Sequence, residues 1–417
     1  MSRPDHEIPW LHNPAYDRIR RQLKSCHSES LIHYTTGSRL WQFRSGVTYL
    51  NHGSFGAVPS ALRRIQQQMR RAVEEEPMDL LARHTERAWD EARSALAGWL
   101  GTRPECIAFS ENATVAMNET ASSIALKPGD EVVLNDHEYG AVKRIWQRRC
   151  TESGAVYREI TLPVPFTDRQ ALTDTLLGTC NERTRLMVLS HITSVSAVIM
   201  PVREVCRELR GRGILSCIDG PHALLQERFS LDELDCDYYA ASCHKWLCAP
   251  IGSGFLYVNP RHHATVRPLR LSWGRLPPDY PNDWTEELTW VGTRDYSPYL
   301  TVPHAIRFFE KLDRDALDAR NHELARYARA QLAALPGAEA MTPDARDSYG
   351  WMAAVMLAPG DYNDLQDRLW KNYGIEVPIM RMGDRRIVRV SCHLYNHARE
   401  IDKLVEALRA ELKFMGA

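Results

Sequence analysis

Three short polar runs carry residues able to do chemistry. In Ser242-Cys-His-Lys245-Trp, a lysine stands just before the glycine-bearing apolar segment Gly252-Ser-Gly-Phe-Leu-Tyr257. A lysine enclosed by apolar surface gives up its proton readily and becomes an amine able to form a Schiff base with a carbonyl. In Asp219-Gly-Pro-His222 an aspartate follows an apolar run. A carboxylate there is costly without a cationic partner, which can be a protonated ring nitrogen or a structural salt bridge. In Glu111-Asn-Ala-Thr114, small and hydroxyl residues open a helical stretch, where free N–H groups and the helix dipole favour an anion such as phosphate. Taken alone, that run reads first as a helix N-cap. The Gly252/Gly254 pair lacks the third glycine of a dinucleotide fingerprint.

The elements that must position these runs alternate. Strands are expected at 106–110, 131–134, 185–190, 214–218, 237–241 and 253–258. Helices are expected at 85–100, 114–126 and 202–212, each stopped by a glycine or a Pro-Gly pair. Strands with helices between them imply an α/β fold with a mostly parallel sheet covered on both faces. Ligands then bind beyond the carboxyl ends of the strands, where all three polar runs fall. A Pro-rich stretch at 276–281 leads to a single long helix over about 301–332, and a smaller α+β unit follows from 352–357, 363–373, 387–390 and 397–412. The expected division is an N-terminal arm at 1–48, a large domain at 49–300 and a small domain at 301–417.

Charge narrows the function classes. Fifty-two Lys plus Arg against 53 Asp plus Glu leave a formal net charge of −1, with no overall pull toward nucleic acid or an anionic membrane. No run of 18 apolar residues occurs, and the first residues are polar, so a cytosolic protein without a secretory signal is expected. Ten scattered cysteines contain no C-x-x-C pair and read as reduced thiols, and no metal site is expected. The adjacent His262-His263 reads as surface decoration, and His137 as a loop histidine.

The ordered set Asn112-Ala-Thr114, Asp219-Gly-Pro-His222 and Ser242-Cys-His-Lys245 resembles the class V aminotransferase family of pyridoxal-phosphate (PLP) enzymes. Tyr49-Leu-Asn-His-Gly-Ser-Phe-Gly, Gly292-Thr-Arg-Asp and Arg389-Val-Ser-Cys-His-Leu-Tyr-Asn extend it. The last two look most like its isopenicillin N epimerase branch, and the likeness runs from about 49 to 412. The resemblance implies fold type I, with a mostly parallel sheet of the seven-stranded kind. It also implies that Lys245 holds PLP covalently and moves the Cα proton, while Asp219 keeps the pyridine nitrogen protonated as an electron sink. Ala113, Thr114, Ser242 and His244 would hold the phosphate, and His222 the ring hydroxyl. Ser194 stands where relatives carry an asparagine that makes a second contact to that hydroxyl. Tyr139 would stack on the cofactor face, and Arg389 would fork onto the substrate α-carboxylate. Thr293 would reach the phosphate of a neighbouring subunit, which implies a homodimer with shared sites. Asn51 and His52 would lie near the substrate entrance.

PLP names the electron sink but not the bond that breaks. Desulfurases of the family carry a nucleophilic cysteine on the loop before the arginine run, and here residues 374–384 contain none. Epimerisation, with Lys245 on one face and Tyr139 or water on the other, and β-elimination of the C–S lyase type remain unranked. Both need only Cα–H removal and stand ahead of transamination. A non-catalytic subunit of the same fold is disfavoured by the intact Lys245, Asp219 and Arg389. Trp273, Trp284, Trp290 and Tyr296 either line the side-chain pocket or simply pack.

Overall fold

The expected apolar runs become the strands of one central sheet. The computed structural model describes residues 40–272, 283–359, 362 and 364–414. Most of the expected arm (1–39), Cys26, Trp273, the Pro-rich stretch and Asn363 lie outside these residues. The central sheet contains β2 (Ile107–Ser110), β3 (Glu131–Asn135), β4 (Val156–Ile160), β5 (Thr184–Ser190), β6 (Leu215–Asp219), β7 (Tyr238–Ser242) and β8 (Gly254–Val258). Their spatial order is β2-β8-β7-β6-β5-β3-β4, and β8 alone runs against its neighbours. Strands of such a sheet are buried on both faces and therefore read as continuous apolar runs. β4 was not expected because it is the edge strand: Val156 and Glu159 are exposed, so no apolar run marks it.

This topology gathers the carboxyl ends of β2, β3, β5, β6 and β7 on one edge, where β8 begins. Register places Ser190, Asp219 and Ala240 abreast on adjacent strands. Ser110, Gly254 and Ser242 are likewise abreast. Gly254 is required there: a Cβ would stand 2.6 Å from Ala241 O and 2.9 Å from Asn112 Cα, against backbone that cannot yield.

The helix that opens after β2, Ala113–Ser123, is capped by Asn112, whose side-chain oxygen accepts from Val115 N at 3.0 Å. The single helix expected over 301–332 is two, Val302–Glu310 and Arg314–Ala333. Asp313 breaks it, turning extended and accepting from Ala316 N at 3.1 Å as the cap of the second. An Asp inside a helical pattern competes for backbone N–H groups in this way.

A second sheet of four antiparallel strands has the order β12 (Ile379–Met382), β13 (Arg385–Ser391), β10 (Met352–Met356), β9 (Glu339–Ala340). Its core gathers side chains between Leu324 and Leu408 and also takes in Leu50. Leu50 arrives there because β1 (Thr48–Tyr49) pairs in parallel with β11 (Ile375–Glu376). The apolar side chains of 302–317 pack instead with the large core. Residues 51–56 thus start at the small core and run toward the edge of the central sheet. Among the described residues no helix is long and apolar enough to cross a membrane.

Candidate active site

Lys245 lies on the short connection from β7 to β8, so its amine emerges at the carboxyl edge of the sheet. Its Nζ stands 3.4 Å from His222 Nε2 and 5.9 Å from the centre of the Tyr139 ring. Trp246 Nε1–H, which can only donate, points at His222 Nδ1 at 3.2 Å. His222 Nδ1 is therefore the acceptor, and in the neutral ring Nε2 carries the proton. That N–H can donate only to an uncharged amine or to an oxygen placed before it. Burial pulls His222 well below the usual imidazole range, with Lys245 and Arg389 adding to the effect.

Asp219 ends β6 and is buried. Burial pushes its carboxyl up and the Lys245 amine down, and each opposes the shift of the other. Arg389 lowers Lys245 further. The result is an amine held toward its neutral, nucleophilic form beside a carboxylate that lacks full charge compensation. At the β2 edge, Ala113 N–H donates to Ser242 Oγ at 3.0 Å at the start of the helix, while Thr114 is exposed beside it. His244 Nδ1 pairs with Ser253 O at 3.0 Å, which fixes the turn before the lysine.

Arg389 is buried on β13, opposite Ala354. Its Nη1 donates to Ser194 O at 2.5 Å and to Ser194 Oγ at 3.3 Å, and Nη2 donates to Ser54 Oγ at 3.2 Å. Its Nε is buried without a partner. Burial pulls the guanidinium down to about 10, so it remains cationic at neutral pH. A guanidinium whose partners are two hydroxyls and a backbone carbonyl, with no carboxylate among these contacts, is suited to an incoming carboxylate.

Residues 53–404 match the family described as aminotransferase class-V. The chain belongs to the class V aminotransferase family. It is 38% identical to the isopenicillin N epimerase of Amycolatopsis lactamdurans over 87% of this chain and 94% of that protein. It is 28% identical to a putative L-cysteine desulfhydrase of Oryza sativa subsp. japonica, over 87% of this chain and 83% of that protein. The fold matches the cystine C–S lyase C-DES in complex with cysteine persulfide at a TM-score of 0.76 and 22% identity, covering 87% of this chain and 97% of that one. Class V aminotransferases use PLP, and the residues here fit it. A buried carboxylate answers a pyridine N–H, a depressed amine an aldehyde, and the helix start at Ala113 a phosphate.

Within this class V chain several expected positions make contacts that local spacing did not show. Ser194 accepts from the guanidinium of Arg389 through both its carbonyl and its hydroxyl. His52 is fully enclosed and lines no entrance: Nδ1 meets Tyr395 Oη at 2.7 Å and Nε2 meets Lys245 O at 3.1 Å. Asn51 is buried and donates from Nδ2 to Glu376 Oε1 at 3.1 Å, while its Oδ1 is buried without a partner. Thr293 is exposed on a bend after Gly292 (φ +104°), and its neighbour Arg294 is anchored to Glu111 at 3.2 Å. His262 is not surface decoration, since it grips Asp237 at 2.6 Å, and His263 Nε2 pairs with Val258 O. His137 is buried against Ser196 Oγ at 2.7 Å. Trp284 donates to Glu105 O, and Trp290 stacks on Tyr296 at 5.6 Å, so these aromatics pack the scaffold.

Three residues escaped the sequence reading. Ser54 lies in the run Tyr49–Gly56 and Tyr395 in Arg389–Asn396, which was the only signal for them. Glu138 accepts from Ser190 N and Oγ and from Asn135 Nδ2, tying the end of β3 to that of β5 just before Tyr139. The nine described cysteines are unpaired as disulfides. Cys392, just past Arg389, is buried, and burial pushes its thiol up.

Proposed function

We propose that this protein epimerises the α-carbon of an L-amino acid. The observation that carries the reading is the placement of the Lys245 amine among His222, Tyr139 and Asp219, with the forked Arg389 close enough to perturb it. When bound, PLP supplies an electron sink for the pair left at Cα. The chain's own groups do the rest. Lys245 Nζ would hold the cofactor and afterwards take the Cα proton, its amine brought closer to the neutral form by burial. Asp219 would receive the ring N–H, which relieves its own uncompensated burial. His222 Nε2–H would donate to the ring oxygen, and Trp246 fixes the tautomer that makes this possible. Ala113, Thr114, Ser242 and His244 frame the phosphate end.

Arg389 would exchange its bonds to Ser194 and Ser54 for the substrate carboxylate, holding Cα over Lys245. Tyr139 is 48% exposed, which leaves its ring accessible for stacking, and its hydroxyl or a water would return the proton from the face opposite Lys245. The strong likeness to epimerases supports this outcome. β-Elimination is the second reading, favoured by the desulfhydrase relatives, and it needs only a leaving group on Cβ. A homodimer with Thr293 reaching the partner's phosphate is part of the proposal, supported by the exposure of Thr293 on an anchored bend. A cytosolic setting is proposed as well, supported by the unpaired cysteines.

A panel of L-amino acids in deuterated water tests these readings. A D-isomer carrying deuterium at Cα is the expected product. Pyruvate with ammonia would instead establish elimination, and a requirement for a keto acid would establish transamination. Protein that never fixes PLP onto Lys245 with borohydride would sink all three.

A further inference from the structure

Residues 51–56 touch both ends of the proposed chemistry. At one end Gly53 N donates to Ser391 Oγ at 3.1 Å, and Ser54 Oγ accepts from Arg389. At the other, a Cβ on Gly56 would fall 2.2 Å from Lys245 O and 2.5 Å from His244 O, so this backbone lies flat against the lysine turn. Between them stands His52. The carbonyl of Lys245 can only accept, so His52 Nε2 carries the proton, and Nδ1 must accept from Tyr395 Oη–H. The same carbonyl also accepts from Cys248 N at 3.0 Å, so both of its lone pairs are used. Cys248 sits at φ +55°, a left-handed position that a non-glycine residue holds only when its surroundings over-determine it.

Tyr395 follows Arg389 by six residues. Its loop is held by Arg320, fully buried, which donates to His393 O and Asn396 O, and by Asn396 Nδ2, which donates to Tyr49 O at 2.8 Å. The ring of His52 also stacks on His393 at 4.3 Å.

We propose that His52 is a positioning residue: clamped between Tyr395 and the Lys245 carbonyl, it fixes the backbone that carries the reactive amine and ties it to the strand that carries Arg389. Its purpose rests on the function proposed above. Amine and guanidinium come from different sheets, and the distance between them decides whether Cα lies over the base. Burial keeps His52 neutral, its pKa pulled down to about 3, so the clamp does not titrate in the working range.

A metal reading of the same place is weaker. His52, Cys248 and His393 offer ligand atoms within 4.8 Å of one another. Yet the Nε2 of His52 is protonated toward a carbonyl, and the two rings lie within 19° of parallel, so their in-plane lone pairs do not converge.

Two measurements decide it. Nitrogen NMR of the cofactor-free chain should show His52 as the Nε2–H tautomer, and the Nδ1–H tautomer would overturn the clamp. This readout stands even if the wild type exchanges no Cα proton, which would defeat only the proposed function. In the PLP-loaded enzyme, His52→Phe should lower kcat for Cα deuterium exchange by about 100-fold, the cost of a misplacement of about 1 Å, and Tyr395→Phe, which leaves the His52 bond to the Lys245 carbonyl, by about 10-fold. KM should stay within about threefold, and His52→Gln, which keeps a donor near the Nε2 position, should restore most of kcat. Should His52→Phe fail to fold, Tyr395→Phe decides alone. Folded variants with wild-type kcat would refute the inference.

Discussion

Arg389 shows how one side chain decides between packing and recognition. It is buried and cationic, and its contacts to Ser194 and Ser54 are the kind that an α-carboxylate can replace. A lysine there would keep the charge but lose the fork. Arg389→Lys is expected to raise KM by about 10- to 100-fold, since a hydrogen bond to a charged group is worth roughly 1.5–3 kcal/mol. The effect on kcat should be smaller, because Lys245 is untouched, and steady-state kinetics with the best amino acid of the panel would show the split. A fall in kcat with KM unchanged would mean that Arg389 serves the scaffold instead. Lys245 itself reads differently in isolation and in place. As a residue type it is an ordinary cation, and its neighbourhood alone makes it a usable amine.

At the scale of elements, the site depends on strand ends staying together. Glu138 is the tie between β3 and β5, and burial pushes its carboxyl up to about 7 from 4.5. Below pH 4.5 the group is protonated in folded and unfolded chains alike. Between 4.5 and about 7 the unfolded chain ionises and the folded one resists. Stability from this group is therefore full at low pH and lost as pH rises through that window, by about 3 kcal/mol at most. Glu138→Gln should flatten this part of the pH dependence while keeping the contacts to Ser190 and Asn135. Thermal unfolding of both proteins between pH 4.5 and 7.5 checks it, and parallel curves would show that Glu138 does not titrate there. The helix break at Asp313 belongs to the same scale: one cap turned an expected long helix into two, with only the second entering the small core.

For the whole molecule, the exposed Thr293 bend asks for an answering surface. Arg294 is held by Glu111 and lies 5.0–5.5 Å from the rings of Trp89, Tyr296 and Tyr299, so the bend is presented rigidly. Glu111 also takes both arms of Arg270 and directly precedes the Asn112-Ala-Thr114 run, which joins the bend to the start of that helix. In a homodimer, Thr293→Asp would set a carboxylate against the partner's phosphate. Equilibrium dialysis should then show PLP retention weakened by about tenfold or more, because juxtaposed like charges cost several kcal/mol. Sedimentation should still report a dimer. A monomer with wild-type PLP retention would remove Thr293 from the site.

Much of this protein was legible without coordinates. Apolar runs marked the buried strands because a sheet covered on both faces leaves no polar side, and the polar runs after β2, β6 and β7 marked the ligand edge. Family likeness was legible because Lys245, Asp219 and Arg389 are single groups that no neighbour can replace. β4 was not legible, since an exposed edge strand carries no apolar run. The roles of His52, Ser194 and His262 were equally hidden, because a hydrogen-bond partner 25 to 343 residues away leaves no trace in local spacing. The chain by itself determined which chemical groups exist and on which edge they fall. Only the tertiary structure decided which of them meet, because distance and burial set whether a histidine clamps a backbone, a serine holds a guanidinium, or a lysine gives up its proton more readily.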